Sequence, residues 1–241
     1  MTATRLTERA VIRLSPLDAE ENVAAFLQGL LTNDVTGDLP VYAALLTPQG
    51  KTMFDMLVWR GDGHDILLDC EAAHAPGLAK RLSLYRLRRK IDIALDETLG
   101  VHWSATEREG AYPDPRLSEL GWRWLAPIDT DESAADAEYL SHRLALGVPE
   151  GAAEMADILW LETNAVELNG VAFDKGCYIG QENTARMNWR SKVNRRLVVV
   201  PLDRSKEKRR KTAYDEVQRA VDHLRVADIP ADMVPAWMRL S

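Results

Sequence analysis

The chain has 241 residues, 46% of them hydrophobic and 28% charged, the composition of a globular protein long enough for one large domain or two modest ones. Its net charge of −7 argues against a dedicated nucleic-acid binder, whose footprint is basic. Its two cysteines, Cys70 and Cys177, stand 107 positions apart with no C-x-x-C, so no structural zinc or self-contained iron–sulfur site is encoded.

Ala10 to Ser15 reads as a short strand. Asp18 can cap a helix whose apolar face is Val23, Phe26, Leu27, Leu30 and Leu31. A hairpin follows: Val41 to Thr47, a turn at Pro48-Gln49-Gly50, then Lys51 to Arg60. Gly61-Asp62-Gly63 turns again into Asp65 to Cys70, which implies an antiparallel sheet. Ala75 to Arg88 is helical and ends in a basic cluster, Arg86, Arg88, Arg89 and Lys90, which suits either the negative end of a helix dipole or an anion. Strands are expected at Ile91 to Leu95, Leu99 to Trp103 and Gly121 to Ala126, with Glu107 to Arg116 as a surface loop. Ala134 to Leu146 is a helix closed by Gly147. Leu159 to Leu168 reads as a strand end or helical turn, and Arg195 to Leu202 as a Val-rich strand. In residues 203–241, six of the eight positions Arg204 to Lys211 are basic, a pattern usual for a solvated face. Tyr214 to Leu224 has a helical pattern, while Val221 to Ile229 reads equally as a strand. The first nine residues lack the apolar core of a leader, and no run is long enough to span a membrane, so a reducing, cytoplasmic setting is the expectation.

The densest chemistry lies in Lys175-Gly176-Cys177-Tyr178-Ile179-Gly180-Gln181-Glu182. No packing pattern asks for a thiol, a phenol, an amide, a carboxylate, an ammonium and two glycines in eight residues. The glycines point to a sharp turn or a close approach. Gln181 to Arg190 can run as a helix, which places Cys177 just ahead of a helix N-terminus and two residues from Lys175; both features favour thiolate. The plainer reading of a lone cysteine is a small buried hydrophobe.

Those eight residues match the signature of the YgfZ family, folate-binding proteins of the aminomethyltransferase (GcvT-like) superfamily that act in iron–sulfur cluster assembly and repair. Phe26 to Val35 resembles the family's first-helix segment, and Leu45 to Lys51 with Phe54-Asp55 resembles its hairpin. The likeness covers residues 10 to 202. It implies an α+β, GcvT-like fold with antiparallel sheets and flanking helices around a central folate site, over a folate-binding region 1–202 that can comprise two intertwined subdomains. The family usually ends in a small β-barrel. Here 203–241 contains no glycine, which tight hairpins favour, so a reduced or missing barrel is expected.

The resemblance implies a tetrahydrofolate cofactor and a transient iron–sulfur cluster shared with a partner. It implies iron–sulfur client enzymes, tRNA-modifying ones among them, or assembly factors as partners, with no membrane and no direct nucleic-acid contact. Cys177 is the candidate reactive group, with Lys175, Gln181 and Glu182 beside it. Glu162 occupies the place of a pterin-binding acid in related proteins, although a surface carboxylate reads as well. Asn33, Asp34, Gln49, Lys51, Asp55 and Tyr178 are candidates to line the cavity, and Arg86, Arg88, Arg190 and Lys192 to meet a folate tail. Turn chemistry explains Asn33, Asp34, Gln49 and Lys51 equally well. Two other functions stay open: a folate-dependent one-carbon transferase, which needs no cysteine, and a docking module for RNA or enzymes that uses the basic stretches. Whether the protein turns over a substrate is undecided by sequence.

Overall fold

The computed structural model describes residues 3–129, 131–190 and 193–240, without the side chain of residue 190. The chain runs β1 (Arg5–Leu6), β2 (Arg9–Pro16), α1 (Val23–Gln28), β3 (Val41–Leu46), β4 (Thr52–Arg60), β5 (Ile66–Glu71), α2 (Ala75–Arg86) and β6 (Ile91–Leu95). It continues through β7 (Leu99–Ser104), β8 (Tyr112–Pro113), β9 (Trp122–Pro127), α3 (Asp136–Ala145), α4 (Ala152–Met155), α5 (Gln181–Arg190), β10 (Arg195–Pro201), β11 (Arg210–Tyr214) and β12 (Arg219–Arg225). The α+β expectation holds: all three sheets are antiparallel, in the orders β3-β4-β5-β2-β6, β1-β7-β9-β8 and β10-β12-β11.

Period-two alternation builds two cores from one five-stranded sheet. Ile12, Leu14, Ala43, Leu45, Met56, Val58, Ile66 and Leu68 point to one face, where α1 and α2 cover them with Phe26, Leu27, Leu78 and Leu82. Val11, Tyr42, Leu57, Trp59 and Leu67 point to the other, against Val101 and Trp103 of the four-stranded sheet and Tyr139 of α3. At about 25 cal/mol per Å² of apolar surface, each buried Leu or Ile here contributes roughly 2 kcal/mol. The helix over this face is capped by Asn22, whose side chain accepts from Ala25 N, and not by Asp18, which pairs with Lys90.

Two further expectations are corrected. Glu107 to Arg116 is not simply a surface loop, because it carries β8 and sinks Asp114 and Arg116 between the sheets. The helical pattern at Tyr214 to Leu224 gives way to a hairpin, β11 and β12, because β12 pairs with β10 along its whole length. Its turn uses Gln218 in the left-handed region (φ 52°) where a glycine would be usual. Among the described residues this C-terminal sheet has three strands and no closed barrel, as expected. The boundary drawn at 202 cuts through it, since β10 belongs with the strands that follow. Its core is Val198, Val200, Ala220 and Leu224, covered by Ile229 and Met238. The basic block is partly tied down: Asp222 accepts from Ser205 Oγ and Lys206 N, and Arg204 pairs with Asp232.

Candidate functional site

Residues 175–182 close the end of the five-stranded sheet at the β3–β4 hairpin. The chain turns here, with Gln181 N donating to Tyr178 O at 3.2 Å. Tyr178 enters the core between the sheets, and Ile179, inside the turn, packs against the core under the helices. Gly180 sits at φ 83°, and a Cβ there would lie 2.6 Å from Thr47 O and 3.0 Å from Gly50 Cα. Gly50 in turn is at φ 78°, with Gly180 O and Asn183 against it. Loop and hairpin thus meet glycine to glycine, in the way that only residues without a Cβ allow. Asn183 Nδ2 donates to Gln49 O at 2.9 Å, and Thr184 Oγ donates back to Gly180 O. The two stretches that share a family pattern are one physical unit. Gly176 is different: nothing lies within 4 Å of where its Cβ would be.

The side chains of the motif divide into inward and outward sets. Lys175 turns inward, where its Nζ donates to the carbonyls of Gln28 (2.8 Å), Leu31 (2.5 Å) and Asn33 (2.9 Å) at the end of α1. Burial pulls its pKa down to about 8, yet three acceptors need three N–H donors, so the ammonium is the form present at neutral pH. Lys175 is therefore a positioning residue for the loop, not an acid–base partner of Cys177. Tyr178 is buried, with its pKa pushed up to about 12 by desolvation, and the Lys175 ammonium lies 5.1 Å from its ring centre. Cys177 and Glu182 face solvent, and Gln181 is half-buried at the start of α5. Phe173, four residues before the thiol, packs edge-on to Trp189 of α5. Cys70, by contrast, is buried, and desolvation raises its thiol to about 12.

The residues expected to hold folate are mostly committed elsewhere. Glu162 lies in a one-turn 3-10 helix, Trp160–Thr163, and its Oε2 meets His223 Nε2 of β12 at 2.9 Å. A bidentate hold on a pterin edge needs both carboxylate oxygens. Asn33 Nδ2 donates to Tyr42 O and Asn169 O. Asp34 is exposed and pairs with Thr36, whose hydroxyl and amide lower its pKa. Gln49 is exposed, and Lys51 pairs with Asp157. Asp55 is buried, and desolvation raises its carboxyl to about 6 against the pull of Arg9; it accepts a hydrogen bond from the Tyr42 hydroxyl at 3.4 Å. Arg86 donates to Ile91 O, while Arg88 is exposed. The side chain of Arg190, and Lys192 altogether, lie outside the described residues. Among the described residues, Glu162, Asn33, Lys51 and Arg86 thus already have partners within the protein.

Sequence reasoning missed a buried ionic cluster between the two large sheets. Arg9, Arg116 and Arg123 meet Asp69, Asp114 and Glu150. Three positive groups balance three negative ones, and Tyr139 OH donates to Glu150 at 2.6 Å. Burial by itself would raise the carboxyls of Asp114 and Glu150, but the guanidinium of Arg116 and its neighbours overcome it and hold both below their ordinary values. A cavity of about 320 Å³ opens beside the cluster, bounded by Arg9, Glu71, Tyr139, Arg143 and Glu150. The signal was present as arginine at inward positions of alternating strands, Arg9 in β2 and Arg123 in β9.

Comparison with known proteins bears on the family resemblance. The chain is 35% identical to the protein named iron-sulfur cluster assembly factor IBA57, mitochondrial, from Homo sapiens, over 81% of this chain and 65% of that protein. The Mus musculus protein of the same name is 32% identical, over 84% of this chain and 66% of that protein. This likeness supports the resemblance to the YgfZ-type, GcvT-like family. The chain spans just under two thirds of the length of these two relatives. A Neurospora crassa protein named as a mitochondrial IBA57 homolog is 30% identical over 81% of this chain. Among solved structures, the glycine cleavage system aminomethyltransferase T from Bartonella henselae superposes with a TM-score of 0.64 at 12% identity, covering 92% of this chain and 78% of that one, which establishes the GcvT-like fold. No family model matches the chain. The relatives are named as mitochondrial, so they lend the cytoplasmic expectation no support. No helix among the described residues is long and apolar enough to cross a membrane.

Proposed function

We propose that this protein is an accessory factor for iron–sulfur cluster assembly or repair that acts through the Cys177 thiolate. The observation that carries the reading is the exposed sulfur of Cys177 on a loop whose backbone is pinned to the β3–β4 hairpin, in a chain similar to proteins named for cluster assembly. Lys175 and Gly180 fix the loop, while Gly176 and Cys177 face outward. A thiolate so placed can be one ligand of a cluster in transit, and a partner protein supplies the rest, because the chain's other cysteine is buried. The partners are then iron–sulfur assembly factors or client enzymes.

Tetrahydrofolate is the finer part of the proposal and rests on family likeness alone. Calorimetric titration of reduced folates into wild type, Glu162→Ala and Cys177→Ala, beside recovery of an iron–sulfur client's activity, tests the two parts separately. The reading expects Cys177→Ala to abolish client recovery without changing any folate affinity. Binding that weakens in Glu162→Ala would support the folate part, and no binding at all would remove it. Full client recovery by Cys177→Ala would remove the sulfur from the account and favour a transferase.

A further inference from the structure

The five-stranded sheet ends differently at its two edges. At β3 the edge is covered: Leu31 bridges Leu45, Thr32 N donates to Ala44 O, and Asn33 Nδ2 donates to Tyr42 O. At β6 it is open. Leu17 N donates to Lys90 O and Asp96 N to Val11 O, in the same register that pairs Ser15 with Asp92 and Arg13 with Ala94. Hydrogen-bonded pairs alternate along an antiparallel ladder. Lys90, Asp92, Ala94 and Asp96 therefore turn their backbone groups to β2, and Ile91, Ile93 and Leu95 turn theirs away from the sheet. Ile91 O accepts from Arg86 Nη1. The N–H and C=O of Ile93 and Leu95 have no hydrogen-bond partner among the described residues.

Free edges are ordinarily guarded by lysine, proline or a bulge. β6 has none of these: it reads Ile91-Asp92-Ile93-Ala94-Leu95, and its register with β2 is unbroken. Apolar surface gathers beside it. Leu95 of β6, Leu17 bonded to Lys90, and Leu84 and Leu87 at the end of α2, the helix packed on β6, are four of the seven large apolar side chains exposed among the described residues. Charge along the strand has a direction. Arg88, Arg89 and Lys90 precede it, and Asp96 and Glu97 follow it. Arg89, Lys90 and Asp96 already pair with Glu21, Asp18 and Arg13. Arg88 and Glu97 are exposed and in no ion pair among the described residues.

We propose that β6 is a homodimer interface, where it pairs antiparallel with β6 of a second copy about a two-fold axis at Ile93. That centre makes Ile93 a hydrogen-bonded pair with its own counterpart and sets Ile91 opposite Leu95, so the residues with outward backbone groups meet one another. Asp92 falls opposite Ala94, and no like charges face across the seam. The basic end of each strand meets the acidic end of the other, with Arg88 of one copy near Glu97 of the next. Parallel pairing would set like ends together. A strand whose charge pattern complements its own reverse suits a second copy, as a two-fold interface requires.

The dimer joins two sheets into one, with β3 at both outer edges. At about 4.8 Å per strand, the two β3–β4 hairpins, and the Cys177 loops docked on them, lie roughly 40 Å apart. The two sulfurs are then too distant to share a cluster, and each stays open to a partner. The interface does not depend on the cluster reading.

The experiment is sedimentation equilibrium of the full chain from micromolar to submillimolar concentration. It is joined by pulsed electron resonance between spin labels on Cys177 in Cys70→Ser. A reversible dimer is expected, with the labels roughly 40 Å apart. Leu95→Pro removes an N–H that the single chain leaves unpaired, at an edge position where proline is tolerated. It should weaken the dimer by more than about tenfold, because the two-fold makes each lost bond count twice. Glu97→Lys should weaken the dimer several-fold, and Arg88→Glu added to it should restore most of the loss. A monomer at every concentration overturns the proposal and leaves the edge to an extended segment of another protein. A dimer indifferent to both Leu95→Pro and Glu97→Lys uses another surface and overturns it too. So does a label separation of half the expected distance. Should Leu95→Pro fail to fold, the exposed pair Arg88 and Glu97 carries the test.

Discussion

The Cys177 loop and the ionic cluster between the sheets are both rich in charged and polar residues, and they use them in opposite ways. In the cluster, Arg9, Arg116 and Arg123 satisfy Asp69, Asp114 and Glu150, so the charge cancels and joins two sheets. In the loop, Lys175 satisfies only backbone carbonyls, and the sulfur of Cys177 is left outside. A charged group enclosed by its complement is architecture. A nucleophile held out by residues that bind the backbone is a candidate for chemistry.

That contrast can be broken at graded cost. Arg116→Met should have the largest effect, because it takes from Asp114 the guanidinium that binds both its oxygens and leaves the buried cluster with one uncompensated negative charge; a loss of about 3–5 kcal/mol in urea unfolding is expected. The wild type should show the same dependence in acid. The folded-state pKa values of the Asp114 and Glu150 carboxyls are lowered, so their stabilisation is complete above their ordinary values of 3.8 and 4.5 and is lost as pH falls below them.

Asp55 runs the other way. Its folded-state pKa is raised from 3.8 to about 6, so its contribution is complete below pH 3.8 and is lost as pH rises through 6. Asp55→Asn should remove that loss. The stability difference, variant minus wild type, should grow between pH 4 and pH 7 by up to about 3 kcal/mol, read by thermal unfolding at each pH.

Inside the loop, Gly180→Ala must overcome a positive φ and a 2.6 Å contact with backbone, at about 2–3 kcal/mol. Lys175→Met strands three carbonyls and should cost about 2 kcal/mol. Gly176→Ala and Cys177→Ser touch nothing that holds the fold and should stay within about 0.5 kcal/mol of wild type. A Gly176→Ala as damaging as Gly180→Ala would show that the inward and outward division is misdrawn.

The five-stranded sheet was legible because its strands alternate cleanly and its hairpins carry Gly50 and Gly61–Gly63. The loop was legible as a candidate site because its mixture of groups serves no packing pattern. The docking of Gly180 on Gly50 was not, since the two lie 130 positions apart and nothing local announces their meeting. The inward turn of Lys175 was hidden for the same reason: its acceptors are Gln28, at the end of α1, and Leu31 and Asn33 just past it. Asp114 and Arg116 sit between prolines and charges that read as surface, and only Arg123 of β9, Tyr139 of α3 and Glu150 make their burial tolerable. At the C-terminus, the apolar spacing of Tyr214 to Leu224 fits a helix in isolation, and pairing with β10 overrides it.

The account rests on the sulfur of Cys177 as a cluster ligand, and the most direct test is spectroscopic. Wild type, Cys177→Ser and Cys70→Ser are mixed anaerobically with a scaffold protein carrying an iron–sulfur cluster, and the visible circular dichroism of the cluster is followed. Wild type and Cys70→Ser should change the cluster's spectrum, and Cys177→Ser should leave the scaffold's spectrum as it was. An equal change with Cys177→Ser would contradict the account.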